Sequence, residues 1–286
     1  MRRITLVLGA AVTIAVLSAA MLGTAQSATP KYGKCMPTGK FDSHPLKETV
    51  KDDTLVVGYV TIAPRTWKGN TPASVNDGYN YCFAANIAYR AGLAKIELKK
   101  VDFAQLVTGR LKGFDIAMDD IYIKPEREAK IDFSIPYGAS WTGISGRTDD
   151  PLTKDKLKDL KFAVTLGSVQ QQWVENVLKA NQKPNTYDDT VELFAALRAK
   201  QVDAVAIDMP VSLPAAAASG GAVKVFGQVK VGGQVGIVME QGSPNRKAIN
   251  AIVKEVKANG TLHALEQKYY FASYGGVDPN KLPYWG

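Results

Sequence analysis

The chain has 286 residues, a formal net charge of +8, and only two cysteines and two histidines. Its basic residues are scattered, with no stripe of them interleaved with aromatics, which argues against a nucleic-acid partner. No metal-ligand cluster, Walker motif, dinucleotide fingerprint or nucleophile motif is present, so no cofactor and no metal are expected.

Arg2 and Arg3 precede an almost unbroken apolar run from Ile4 to Leu22, and small residues follow at Ala25, Ser27 and Ala28. This is the pattern of a secretory signal peptide over residues 1–28; a membrane anchor is the alternative for a run of this length. Cleavage leaves roughly 258 residues, enough for one large or two modest domains. In an oxidising compartment the pair Cys35 and Cys82 reads first as one disulfide, and two buried thiols are the alternative.

Residues 29–49 lack periodicity and read as an N-terminal extension. A strand–helix alternation then begins. Thr54–Val60 is β-rich, and Tyr79, Cys82, Phe83, Ile87 and Ala91 share one face of a helix that Gly92 stops. Lys95–Val101 reads as a strand, Phe103–Lys112 as a helix and Asp115–Met118 as a short strand. The same grammar recurs: strand Lys161–Thr165, helix Ser168–Ala180, helix Asp189–Ala199, strand Ala204–Asp208 and helix Pro210–Ser219. Ile249, Ile252, Val253 and Val256 give helical spacing, and a last helix follows Gly260 to about Tyr270. Such alternation predicts an α/β fold of two lobes, each a mainly parallel sheet flanked by helices. Ligands bind such sheets at the carboxyl ends of the strands.

The segment Gly113-Phe-Asp-Ile-Ala-Met-Asp-Asp-Ile-Tyr-Ile-Lys-Pro-Glu-Arg127, followed by Ile131-Asp-Phe-Ser-Ile-Pro-Tyr137, resembles the extracellular solute-binding proteins of amino-acid transporters, family 3. Leu55-Val-Val-Gly58, Gly78-Tyr-Asn80, Val164-x-x-Gly-Ser168, Val202-Asp-Ala-Val-Ala-Ile-Asp-Met-Pro210 and Asn259-Gly-Thr-Leu262 match further motifs in order. The resemblance covers about residues 50–271 and implies a type II periplasmic-binding fold. Lobe 1 is expected over residues 50–138 and 236–286, lobe 2 over 142–230, and a hinge at 138–141 and 231–235.

For function, the resemblance implies the periplasmic substrate-binding component of an ABC uptake transporter. It would capture an amino-acid-like small molecule by hinge closure, dock on a membrane permease and work as a monomer. Arg127 is expected to hold the ligand carboxylate with its planar fork, and Asp208 the ammonium; either residue also has a plainer use, Asp208 as the N-cap of the next helix. Backbone amides at Ser168 and Val169 are further carboxylate contacts.

Several positions depart from the family pattern. Its aromatic Y-P-P-F-E-F loop reads Ile62-Ala-Pro-Arg-Thr-Trp67, so Trp67 is either the replacement stacking aromatic or a core residue. Tyr122 stands where a ligand-binding Thr is usual, and Val169 where Thr or Gly is frequent. Asp119 and Asp120 replace small neutral residues. They either face the ligand, favouring a cationic group, or cap the helix before Arg127. A dehydratase on the same scaffold is the rival reading, with Glu126, Asp119 and Asp120 as its candidate acids and bases; a sensory module is another.

Overall fold

The structure, a computed structural model, describes residues 31–62 and 65–285; the expected signal peptide lies outside the described residues. In chain order the first half contains Thr54–Tyr59 (β1), Tyr79–Arg90 (α1), Lys95–Lys100 (β2), Phe103–Val107 (α2), Ile116–Ala117 (β3), Pro125–Glu128 (α3), Ile131–Phe133 (β4) and Gly138–Arg147 (β5). Next come Phe162–Thr165 (β6), Val169–Gln172 (α4), Asn185–Tyr187 (β7), Thr190–Arg198 (α5), Ala204–Asp208 (β8), Met209–Ala217 (α6) and Val223–Val235 (β9). Val238–Glu240 (β10), Arg246–Ala258 (α7) and Thr261–Tyr269 (α8) follow.

These strands build two five-stranded sheets of one design, ordered β2-β1-β3-β10-β4 and β7-β6-β8-β5-β9. The pairs β1–β2, β1–β3, β6–β7 and β6–β8 are parallel. A single strand in each sheet runs against its neighbours, β10 in the first and β5 in the second. The sheets are therefore mixed, and the reversed strand in each is the one delivered by a crossing from the other sheet. Alternation alone cannot show this, because β4 leads to β5 and β9 to β10 with no helix between them.

Local chemistry explains the central elements. All six residues of β1 are buried, as a strand covered on both faces requires. Gly58 lets β3 approach, since a Cβ there would lie 2.9 Å from that of Ala117. Every residue of α1 except Tyr89 is buried, and the chain turns at Gly92, with φ +76°, where a left-handed residue closes a helix. Ile249, Ile252, Val253 and Val256 of α7 are fully buried, as their spacing predicts. Two helices fall short of expectation. In α2 the Thr108 hydroxyl bonds back to the Ala104 carbonyl at 2.9 Å and Gly109 turns left-handed, ending it early. After α4 the chain widens into a π-helical stretch, Trp173–Leu178.

The extension is held against α1. Cys35 and Cys82 form a disulfide, the Thr38 amide donates to Asn86 Oδ1 at 3.0 Å, and Tyr32 donates to the Leu93 carbonyl at 2.5 Å. At the crossings, residues 138–141 of β5 pair with 232–235 of β9, so the two connections are hydrogen-bonded to each other. One boundary differs from expectation. The C-terminal tail, expected with the first lobe, lies on the second sheet. Gln228 of β9 donates from its amide to Pro283 at 2.9 Å and from Nε2 to Pro279 and Leu282, and the Trp285 amide donates to the Gln228 carbonyl at 2.8 Å. Gly227 leaves room for the Trp285 ring, which lies 2.5 Å from where a Cβ would stand.

Candidate functional site

A cavity of about 360 Å³ opens at the carboxyl ends of β1, β3, β6 and β8. The first sheet contributes Val60, Asp119, Asp120 and Tyr122, and the second contributes Ser168, Val169, Gln170 and Asp208. Arg127, on α3, lines it too.

Arg127 is 4% exposed. It is held by a hydrogen bond from Nη1 to the Tyr122 carbonyl at 3.1 Å and by stacking over Phe103, 5.4 Å from the ring centre. Among the described residues it has no carboxylate within salt-bridge distance. Burial pulls its pKa down, against the opposing charges of Glu126 and Asp208. A buried, uncompensated guanidinium is costly in the empty cleft and favourable once an anion enters.

Asp208 ends β8 and stands at the N-cap of α6, yet its side chain makes no capping bond. Its Oδ1 accepts instead from the Tyr122 hydroxyl and from Gln170 Nε2, the latter at 2.8 Å. Gln170 is itself aimed by a 3.0 Å bond to Thr142 Oγ1, which the β5–β8 register sets opposite Asp208. No bond to Oδ2 is present among the described residues. Burial pushes the Asp208 carboxyl up to about 6, although Tyr122, Gln170 and Arg127 all favour its ionised form. The carboxylate is thus oriented on one oxygen and open on the other.

Asp119 and Asp120 divide the two readings between them. Neither caps α3, whose N-cap is Lys124. Asp119 Oδ2 accepts from the amides of Val60 and Thr61 at 2.8 and 3.2 Å, bracing the end of β1. Asp120 adopts φ +51° and has no hydrogen bond or ion pair to its carboxylate among the described residues. Both line the cavity, and both are pushed up to about 7, chiefly by burial; for Asp120 the charge of Asp208 adds to this.

Other expected contacts fare unevenly. The Ser168 amide donates to Thr165 at 3.1 Å, and its hydroxyl accepts from the Gln171 amide, so the amide belongs to the turn while the residue lines the cavity. Val169 lines the cavity. Trp67 does not: it is fully buried in the first core beside Tyr59, with ring centres 6.1 Å apart, which is the core alternative for this residue. Glu126 is exposed and outside the cavity lining. Sequence reasoning missed Gln170, Phe103 and Arg65, all of which line the cavity. Of these only Arg65, set in the departing loop after β1, was in a segment already marked as unusual.

A sequence profile of the bacterial extracellular solute-binding proteins, family 3, matches residues 55–272. The L-cystine-binding protein TcyJ of Escherichia coli (strain K12) is 29% identical over 247 residues, covering 83% of this chain and 90% of that protein. An ancestral arginine-binding protein bound to arginine is 29% identical, with a TM-score of 0.68 over 76% of this chain and 98% of that one. The solute receptor for L-cysteine of Neisseria gonorrhoeae superimposes with a TM-score of 0.70 over 82% of this chain and 99% of its own, at 21% identity, a likeness of fold.

Proposed function

The chain belongs to the bacterial extracellular solute-binding proteins, family 3, and on that premise we propose that it is the exported, periplasmic substrate-binding component of an ABC importer, with an amino acid as ligand. Relatives named for cystine and arginine support an amino acid. The observation that carries the reading is Arg127, a buried cation without an anion, next to Asp208 with one oriented and one open oxygen. A zwitterion supplies the missing charges: its carboxylate on Arg127, its ammonium on Asp208 Oδ2. Lobe 1 then runs over residues 50–138 and from 236 to the end of α8, and lobe 2 over 142–230. Bending at 138–141 and 231–235 closes them over the ligand, and the closed monomer docks on its permease.

Calorimetry on mature protein, stripped of ligand by unfolding and refolding, tests this. Arg127→Ala should weaken amino-acid binding by at least about 2 kcal/mol, because a buried charge pair loses one member. Unchanged affinity overturns the assignment. Recovery of the ligand chemically intact separates binding from turnover by a dehydratase.

A further inference from the structure

Gln170 lines the cavity beside Asp208, yet the amino-acid reading gives it no contact with the ligand. It is 4% exposed and sits in the first turn of α4. Hydrogen-bond chemistry fixes which way round its amide stands. The Val231 carbonyl on β9 can only accept, so the Thr142 hydroxyl gives its one proton there, at 2.8 Å. Thr142 is fully buried, and its Oγ1 is left with acceptor capacity alone. Gln170 must therefore turn Nε2 toward Thr142, at 3.0 Å. The same nitrogen donates at 2.8 Å to Asp208 Oδ1, and an ionised carboxylate likewise takes only a donor. Exchanging the oxygen and nitrogen of the amide would set acceptor against acceptor at both contacts.

This relay leaves one polar atom over. Both N–H bonds of the Gln170 side chain are used, and Oε1 has no hydrogen bond among the described residues. Nor is Oε1 sealed from solvent, as the partnerless hydroxyls of Tyr137 and Tyr270 are, and the residue lines the cavity. An acceptor in that place repels a carboxylate and suits a donor. The ammonium placed on Asp208 Oδ2 carries three N–H bonds, of which that oxygen takes one. Each of the others is costly if it is desolvated without a partner.

We propose that Gln170 Oε1 is the second acceptor for the ligand ammonium, forming with Asp208 Oδ2 a two-oxygen cradle on the side of the second sheet. This deepens the reading given above and rests on Asp208 holding that ammonium. The cradle selects for a nitrogen with at least two N–H bonds. A primary or N-methyl amino acid satisfies both oxygens, whereas an N,N-dimethyl amino acid satisfies one and leaves the other desolvated and unpaired.

Stripped mature protein should be screened by thermal shift against the common amino acids and cystine. The tightest binder is then titrated by calorimetry beside its Nα-methyl and Nα,Nα-dimethyl forms. In the wild-type protein the dimethyl form should bind at least about tenfold more weakly than the methyl form, one charge-assisted hydrogen bond being of that order. In Gln170→Met, which keeps the length of the side chain and lacks the oxygen, that ratio of dissociation constants should shrink by about tenfold. Steric effects of the added methyl group are common to both proteins and cancel in the comparison. An unchanged melting temperature of the ligand-free variant shows that it has not unfolded. Because the variant also loses the N–H bond to Asp208, a ligand-bound crystal structure of the wild-type protein separates the two roles. Oε1 should stand within about 3.2 Å of the ligand nitrogen. Oε1 beyond hydrogen-bond range of that nitrogen overturns the proposal, as does a ratio that Gln170→Met leaves unaltered. Amino-acid binding that depends on Arg127 and Asp208 but not on Gln170 sinks the cradle alone. Absence of binding by every member of the panel sinks the underlying reading as well.

Discussion

Tyr122 and Asp208 tie the two sheets together: a phenol placed just beyond β3 donates to a carboxylate at the end of β8. The tyrosine is 2% exposed, and its ring lies against the return crossing, where a Cβ on Gly232 would stand 2.9 Å from the hydroxyl. The Tyr122 hydroxyl is thus committed to Asp208, while the residue also lines the cavity. Tyr122→Phe removes a donor that favours ionised Asp208, so the Asp208 carboxyl should rise above about 6. The midpoint of ligand affinity against pH, measured by calorimetry, should shift upward. A superimposable pH profile would show that the phenol does not tune Asp208.

Stability and binding should respond to pH with opposite signs. Asp119 and Asp120 sit at about 7 and Asp208 at about 6, above an ordinary carboxyl. Between about pH 4 and pH 7 the folded chain then holds more protons than the unfolded one, and stability falls as pH rises. The stabilisation is complete below the unfolded value and lost as pH climbs through the folded values. Ligand-free protein should therefore melt at a higher temperature at pH 5 than at pH 7.5, as far as these groups decide it. Amino-acid affinity should instead fall as pH drops through about 6, where Asp208 takes up a proton. Calorimetric scans and titrations across the range check both.

Reduction should cost stability. The disulfide spans a separation of 47 residues, and a loop of that size corresponds to about 4 kcal/mol in the chain-entropy account. The Cys35→Ser, Cys82→Ser double variant should unfold at markedly lower denaturant concentration. Thiol titration of the unfolded, unreduced protein should find no free thiol.

Trp67 should behave as a core residue. Trp67→Ala should cost about 3–5 kcal/mol of stability, the usual range for deleting a large buried aromatic. Trp67→Phe, which keeps most of the buried volume, should leave the ligand preference unaltered. A change of preference in that variant would return Trp67 to the site.

Much of this was legible in the sequence. The strand ends carrying Asp208 and Asp119 follow from strand–helix alternation, and the buried faces of α1 and α7 follow from apolar spacing. The reversed strands β5 and β10 were not legible, because their pairing is set by which sheet the chain enters and not by local pattern. Gln170 was hidden for a related reason: its partner Thr142 lies 28 residues away in sequence, on β5. Ser168 was placed correctly at the start of a helix, but its amide was expected to meet a ligand, and only the turn geometry reveals that Thr165 takes it. The two adjacent aspartates illustrate the limit most clearly. Composition treats them alike, whereas two backbone amides engage one and leave the other facing the cleft.

The tail that returns from α8 to β9 makes a third covalent path between the sheets, beside the two crossings. Leu262 and Tyr269 of α8 are buried in the core of the first sheet, while residues 283–285 are hydrogen-bonded to Gln228 on the second. Any swing of one sheet away from the other must take up slack in the segment between them or peel Trp285 off Gly227. On the hinge bending proposed above, the C-terminus would act as a leash whose length limits how far the jaws gape. A chain truncated after Ser273 has no leash, and its unliganded form should scatter X-rays as a wider, more open particle than the intact protein.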